Sequence, residues 1–158
     1  MESFFAALAG IAVGAFLTLI VQRRLQKNEQ AERLTVARRQ AYGDFLDAAY
    51  ELALAIQQAH RDRMASGAEV AGETFARQVD RISPHRGQMS LERLRLVATD
   101  ETATKATLLW DRLRRDAARK DATLDAQGLE AWVSGYWIAE KDLLNAARAD
   151  MGLPRLRR

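Results

Sequence analysis

The side chains best able to do chemistry in this 158-residue chain are two histidines and a handful of serines, and none stands in a catalytic setting. Neither His60 nor His85 has a partner at HxxxH or ExxH spacing, the arrangement that would put two metal ligands on one face of a helix. Ser66, Ser83, Ser90 and Ser134 lack the glycine-flanked turn that exposes a nucleophile, and no glycine-rich loop could cradle a phosphate. With no acid, base and nucleophile in register, the sequence implies a protein that is not an enzyme and that needs no cofactor or metal.

Two further groups could bind rather than react. Trp110, Trp132 and Trp137, with Tyr136, could wall a pocket between helices, although aromatics at helical spacing also serve as ordinary core. Trp137 adjoins Tyr136 and cannot share its direction, so the two must face different surroundings. Arg112, Arg115 and Arg119, with Arg114 and Lys120 nearby, form a basic stripe. Asp111, Asp116 and Asp121 interleave and blunt its field, which favours a solvated, salt-bridged face over nucleic-acid binding.

The elements carrying these residues must be helices. Alanine and leucine are abundant, only Pro84 and Pro154 interrupt, and strand-like alternation is nearly absent. The absence of cysteine excludes disulfides and thiolate metal sites, leaving packing to hold the fold. A net charge of +3, with acids and bases mixed, gives no strong pull toward a polyanion.

Residues 4–21 carry no charge and, with Ser3 and Gln22, make about 20 residues, roughly 30 Å of helix and enough to span a bilayer. Arg23, Arg24 and Lys27 follow the run while only Glu2 precedes it, which is the wrong polarity for a cleaved signal peptide. The positive-inside rule puts the C-terminal flank in the cytoplasm and a short N-terminus outside. Ala6, Gly10, Gly14 and Thr18 recur every four residues, a small-residue stripe through which two copies could pack closely in lipid.

Beyond the anchor, residues 25–64 read as one helix. Its apolar stripe is Leu34, Ala41, Phe45, Ala49, Leu52, Ile56 and Ala59, widened by Tyr42, Leu46 and Ala53. Ser66-Gly67 marks its stop. A short helix is expected over 68–82, facing inward with Phe75, Val79 and Ile82. Residues 83–87 form a break, followed by a helical turn or two around Leu91, Leu94, Leu96 and Val97. Thr99 or Asp100 caps the next helix, which runs to about Lys120 with Ala103, Ala106, Trp110, Leu113 and Ala117 inside. The last runs from about Asp125 to Met151, burying Leu129, Trp132, Val133, Tyr136, Leu143, Leu144 and Ala147, and stops at Gly152 and Pro154.

The segment Arg38-Arg39-Gln40-Ala41-Tyr42-Gly43-Asp44-Phe45-Leu46-Asp47-Ala48, with Leu143 to Gly152 near the end, resembles a loose group of small actinobacterial membrane-anchored proteins, some phage-borne, whose function is unknown. The resemblance implies a short membrane helix followed by a helical domain and carries no activity with it.

The sequence therefore predicts an all-α protein: an N-terminal single transmembrane helix (1–24), an antiparallel up-and-down cytosolic bundle (25–152) and a basic tail (153–158). It belongs at the inner (cytoplasmic) membrane. An even number of passes returns Arg155, Arg157 and Arg158 to the leaflet that meets Arg23, Arg24 and Lys27, where each charge could gain on the order of 1 kcal/mol from anionic lipid. The expected role is a membrane-tethered interaction module, a homo-oligomer with an unknown protein partner. The alternative is a ligand-sensing bundle with an aromatic pocket between its helices.

Overall fold

A computed structural model describes residues 2–66, 84–118 and 124–156, with side chains of the first helix described from Glu29 to Ala65. The described residues are helical with no strand: α1 (Glu2–Ser66), α2 (Pro84–Val97), α3 (Asp100–Ala118) and α4 (Ala126–Asp150). Packing separates two units, Met1–Ala37 and Arg38–Arg158.

In the first unit, the side chains from Glu29 to Ala37 are exposed apart from Thr35. Leu34, expected on the buried stripe, is 42% exposed because the core begins only in the second unit. Among the described residues no helix is long and apolar enough to cross a membrane. The side chains of residues 4–21, on which the expected span and its small-residue stripe fall, lie outside that description, as does the helix expected over 68–82.

The second unit is a helical bundle. Phe45, Leu52 and Ile56 of α1, Leu91 and Leu94 of α2, Leu109, Trp110 and Leu113 of α3, and Tyr136 and Leu143 of α4 share one core. Ala41, Ala49 and Ala53 keep the buried face of α1 low, so its neighbours can pack closely against it. Cross-helix contacts give the directions. Arg86 meets Glu51 at 2.9 Å and Arg38 meets Val97, so α2 runs against α1. Trp110 meets Gln88 and Thr107 meets Arg95, so α3 runs against α2. Arg112 meets Gly135 and Thr99 meets Asp150, so α4 runs against α3.

Of the break expected at 83–87, residues 84–87 are helical, and residue 83 lies outside the described residues. Pro84 opens α2, where a first-turn proline has no helical N–H bond to lose. Gly87, one turn in, is needed for a different reason. A Cβ there would fall among the atoms of the Trp110 indole, far inside van der Waals contact. The missing side chain lets Trp110 lie against α2, with its edge toward Phe45 at 6.3 Å and its Nε1 donating to Gln88 Oε1 at 3.2 Å.

The helix ends are closed by side-chain and backbone caps. The Asp125 side chain accepts from Gly128 N at 2.7 Å and caps α4. At the other end Gly152 takes φ +69, its N–H reaching Ala149 O while that of Leu153 reaches Arg148 O, the paired bonds of a Schellman stop. Thr99 precedes α3 and its carbonyl accepts from Ala103 N. Within α3, Thr102 and Leu109 are buried in addition to the expected face, while Ala103 and Ala117 are only partly covered.

Arg38 and Asp150 tie the open end of the bundle. Arg38 Nε donates to Val97 O and its Nη1 to Asp150 O, both at 2.7 Å, so one guanidinium serves the last carbonyls of α2 and α4. The Asp150 carboxylate accepts from the Tyr42 hydroxyl at 2.6 Å, the Thr99 hydroxyl at 2.7 Å and Thr99 N at 3.0 Å. Burial alone would raise the Asp150 carboxyl, but hydrogen bonds from Tyr42, Thr99 and Thr102 outweigh it and hold the group below its ordinary range. Burial and the Asp150 carboxylate push the Tyr42 phenol up, so it stays protonated as a donor.

Two outcomes test this packing. Gly87→Ala should destabilise the protein by about 1–3 kcal/mol through overpacking against Trp110, lowering its thermal midpoint. Because the carboxyl of Asp150 is depressed on folding, its contribution is full above the unfolded carboxyl range and is lost as pH falls through the folded value. Asp150→Asn should therefore melt below wild type at neutral pH, and the gap should close below about pH 4.

Candidate functional site

The second unit carries a small aromatic cleft between α1 and α4, lined by Tyr50, Ala53, Leu54 and Gln57 on one side and Trp132, Val133, Tyr136 and Trp137 on the other. Both sets follow from helical periodicity. Tyr50, Leu54 and Gln57 sit at four- and three-residue steps beside the buried Ala49–Ala53 stripe, and Trp132–Tyr136 and Val133–Trp137 are two i,i+4 pairs. The cleft holds about 130 Å³, well below the ~300 Å³ or more of a site for a drug-sized ligand.

Its rings lean on one another. Trp132 and Tyr136 stack with centroids 6.3 Å apart, Tyr136 and Trp137 meet edge to face at 5.3 Å, and Tyr50 reaches Trp137 at 6.2 Å. Trp132 is fixed by its Nε1, which donates to Asp116 Oδ2 at 2.7 Å. Tyr136 is 3% exposed, whereas Trp137 beside it is 51% exposed, the divergence that their adjacency required. Of the sequence-predicted pocket aromatics, Trp132 and Trp137 meet in this cleft. Trp110 does not: it lies in the core at 1% exposure, against Gly87 and Phe45.

Tyr136 also belongs to a polar pair that sequence reasoning missed. Its phenol oxygen and Glu140 Oε2 are both covered, and the two groups interact by a hydrogen bond from phenol to carboxylate that perturbs the ionisation of each. Burial raises the Glu140 carboxyl, and Tyr136 partly offsets the shift. Burial, then the charge of Glu140, then Tyr50, and last the hydrogen bond to Glu140, push the Tyr136 phenol up. The i,i+4 spacing of Tyr136 and Glu140 was the available signal, but nothing in the sequence marks Glu140 as covered.

The basic face of α3 is laced with acids, as its pattern suggested. Arg112 approaches Asp116 at 3.9 Å and Lys105 approaches Glu101 at 3.7 Å. Arg112 also donates to Gly135 O at 3.1 Å, and a Cβ on Gly135 would stand 2.7 Å from its Nη2, so this guanidinium is partly committed to packing on α4. Lys105, Arg112, Arg115 and Asp142 rim an open groove of about 360 Å³. Arg119 lies outside the described residues.

His60 is buried at the far end of α1, and its imidazole is driven down by burial and by Arg63, against an opposing pull from Asp116. His85 is exposed. Of the residues expected at a membrane surface, Arg155 is exposed. The side chains of Arg23, Arg24 and Lys27, those of Ala6, Gly10, Gly14 and Thr18, and the residues Arg157 and Arg158 lie outside the description.

Comparison with protein-family models, with curated proteins and with solved structures finds no match for this chain.

The differing exposure of the tryptophans is directly measurable. Acrylamide should quench Trp137 efficiently and Trp110 hardly at all. Trp137→Phe should therefore remove most of the quenchable emission, whereas Trp110→Phe should leave it in place.

Proposed function

We propose that this protein is a membrane-tethered, non-enzymatic helical interaction module. In this reading residues 4–21 span the inner membrane once, the N-terminus lies outside, and the bundle stands in the cytoplasm, where it meets a protein partner. The observation that carries the reading is an uncharged run closed by Arg23, Arg24 and Lys27 on a backbone that is helical from Glu2 to Ser66.

The bundle's own geometry agrees with an even number of passes. Arg38, at the N-terminal edge of the second unit, binds the last carbonyl of α4, so the tail bearing Arg155 leaves the bundle at the end where α1 enters it. In the proposed arrangement that end faces the bilayer, and the tail's arginines act with Arg23, Arg24 and Lys27 on anionic headgroups. Ala6, Gly10, Gly14 and Thr18 supply a close-packing face for self-association within the lipid. The resemblance to small actinobacterial and phage-borne membrane proteins points the same way on architecture and adds no activity.

Alkaline carbonate extraction of native membranes tests the anchor: the protein should stay in the membrane pellet, and release to the supernatant would overturn the span. The double substitution Gly10→Ile and Gly14→Ile should abolish signal in a membrane-association reporter. An undiminished signal would remove the homo-oligomer from the proposal while leaving the tether standing.

A further inference from the structure

The face that α1 and α4 share in the second unit leaves large apolar side chains in water. Tyr50, Leu54 and Trp137 are 42%, 43% and 51% exposed, and Val133 beside them is half-buried. They adjoin one another along the aromatic cleft, with the rings of Tyr50 and Trp137 6.2 Å apart. Single exposed apolar residues are ordinary. A contiguous group of them, rimmed by charge and led by tyrosine and tryptophan, has the make-up of a protein contact surface.

The charges at the rim identify what covers it. On α1, Asp47 comes three residues before Tyr50 and Arg61 seven after Leu54, so helical periodicity puts all four on one side of the helix. On α4, Glu130 comes three residues before Val133 and Lys141 four after Trp137, with the same result. Because α4 runs antiparallel to α1 and Tyr50 lies level with Trp137, Asp47 and Lys141 flank one end of the patch and Arg61 and Glu130 the other. None of the four makes an ion pair with another described residue. Along one direction, then, the rim runs from acid to base on α1 and from base to acid on α4. Half a rotation about an axis parallel to the helices lays α1 of one copy over α4 of another, with Asp47 opposite Lys141 and Arg61 opposite Glu130, each pairing occurring twice. A face that complements itself in this way fits an isologous dimer.

We propose that this face docks a second copy of the chain, side by side and in parallel, with Tyr50, Leu54 and Trp137 at the centre of the contact and the four charges paired across its rim. The same charges also match an antiparallel pair, with Asp47 opposite Arg61. The choice of the parallel sense rests on the membrane tether proposed above, which holds both copies by the same end.

The chain contains no cysteine, so introduced thiols report contacts without background. Asp47→Cys and Lys141→Cys, made in separate full-length chains and mixed, should be joined into a covalent dimer by a short bismaleimide, and neither should be joined to itself. Arg61→Cys mixed with Glu130→Cys should behave likewise, whereas Asp47→Cys mixed with Arg61→Cys should not be joined. The pattern should persist when every chain also carries Gly10→Ile and Gly14→Ile, which removes pairing through the membrane helix. Self-association is read from Trp137, whose efficient quenching by acrylamide belongs to the dilute protein and should fall as concentration rises. Asp47→Lys should weaken that association about tenfold, with the thermal midpoint of the dilute protein unchanged, and adding Lys141→Asp to the same chain should restore it. Quenching that is independent of concentration, absence of a covalent dimer in every mixture, or affinity unchanged by Asp47→Lys would each overturn the proposal. Joining of Asp47→Cys to Arg61→Cys would overturn the parallel sense in favour of the antiparallel one. Loss of the dimer while the protein stays in the carbonate-washed pellet removes the interface alone, and release into the supernatant removes the tether alone, so the two failures are told apart.

Discussion

The negative ends of two helices converge on Arg38. Helix C-termini leave carbonyls without intrahelical donors, and α2 and α4 finish side by side at one end of the bundle. A guanidinium presents several donors in a rigid fork, and here that fork meets Val97 O and Asp150 O together, placing one positive charge at two dipole ends. The Asp150 carboxylate then faces the other way, taking donors from Tyr42 on α1 and from Thr99 at the head of α3. All four helices are thus referred to one another by Arg38 and Asp150. A lysine at position 38 would keep the charge but could not span both carbonyls in the same fork.

With that end tied, the bundle closes on α3, which occupies the middle and has glycines facing it on both sides. Gly87 on α2 admits the Trp110 indole, and Gly135 on α4 admits the Arg112 guanidinium. Neither glycine takes a left-handed conformation, since the only positive φ among the described residues is at Gly152. Each is there for room. The helix propensity lost at two interior glycines, roughly 1 kcal/mol each, is offset by burial of a full tryptophan and by the aliphatic stem of an arginine laid across a neighbour.

The sequence makes the helices legible and leaves most of their mutual contacts out of reach. Phe45, Leu52, Ile56, Trp110, Leu113, Tyr136 and Leu143 declare themselves by three- and four-residue spacing, and Gly152 and Thr99 by end chemistry; all behave accordingly. The motif built on Arg38, Tyr42 and Phe45 stands out by composition, and its residues prove to be a double cap, a carboxylate partner and core. Gly87 read as part of a break because a glycine near a proline signals a turn, whereas its reason lies in a tryptophan 23 positions away. Leu34 fitted the stripe and stays exposed, because periodicity identifies a face without saying where along the helix a partner begins. Of the aromatic cleft the sequence offered Trp132, Tyr136 and Trp137, while Tyr50 and Leu54 depend on which helix packs opposite, a fact of tertiary structure.

Two acids of α4 meet burial in opposite ways. At Asp150 the carboxylate is met by three hydrogen bonds, which outweigh the cost of burial and give the bundle a joint. At Glu140, four residues beyond Tyr136, burial wins: the hydrogen bond with the phenol offsets only part of it, and the carboxyl is raised. What separates the two is the number of donors within reach, so a buried acid ties this bundle together only where more than one element brings a donor to it.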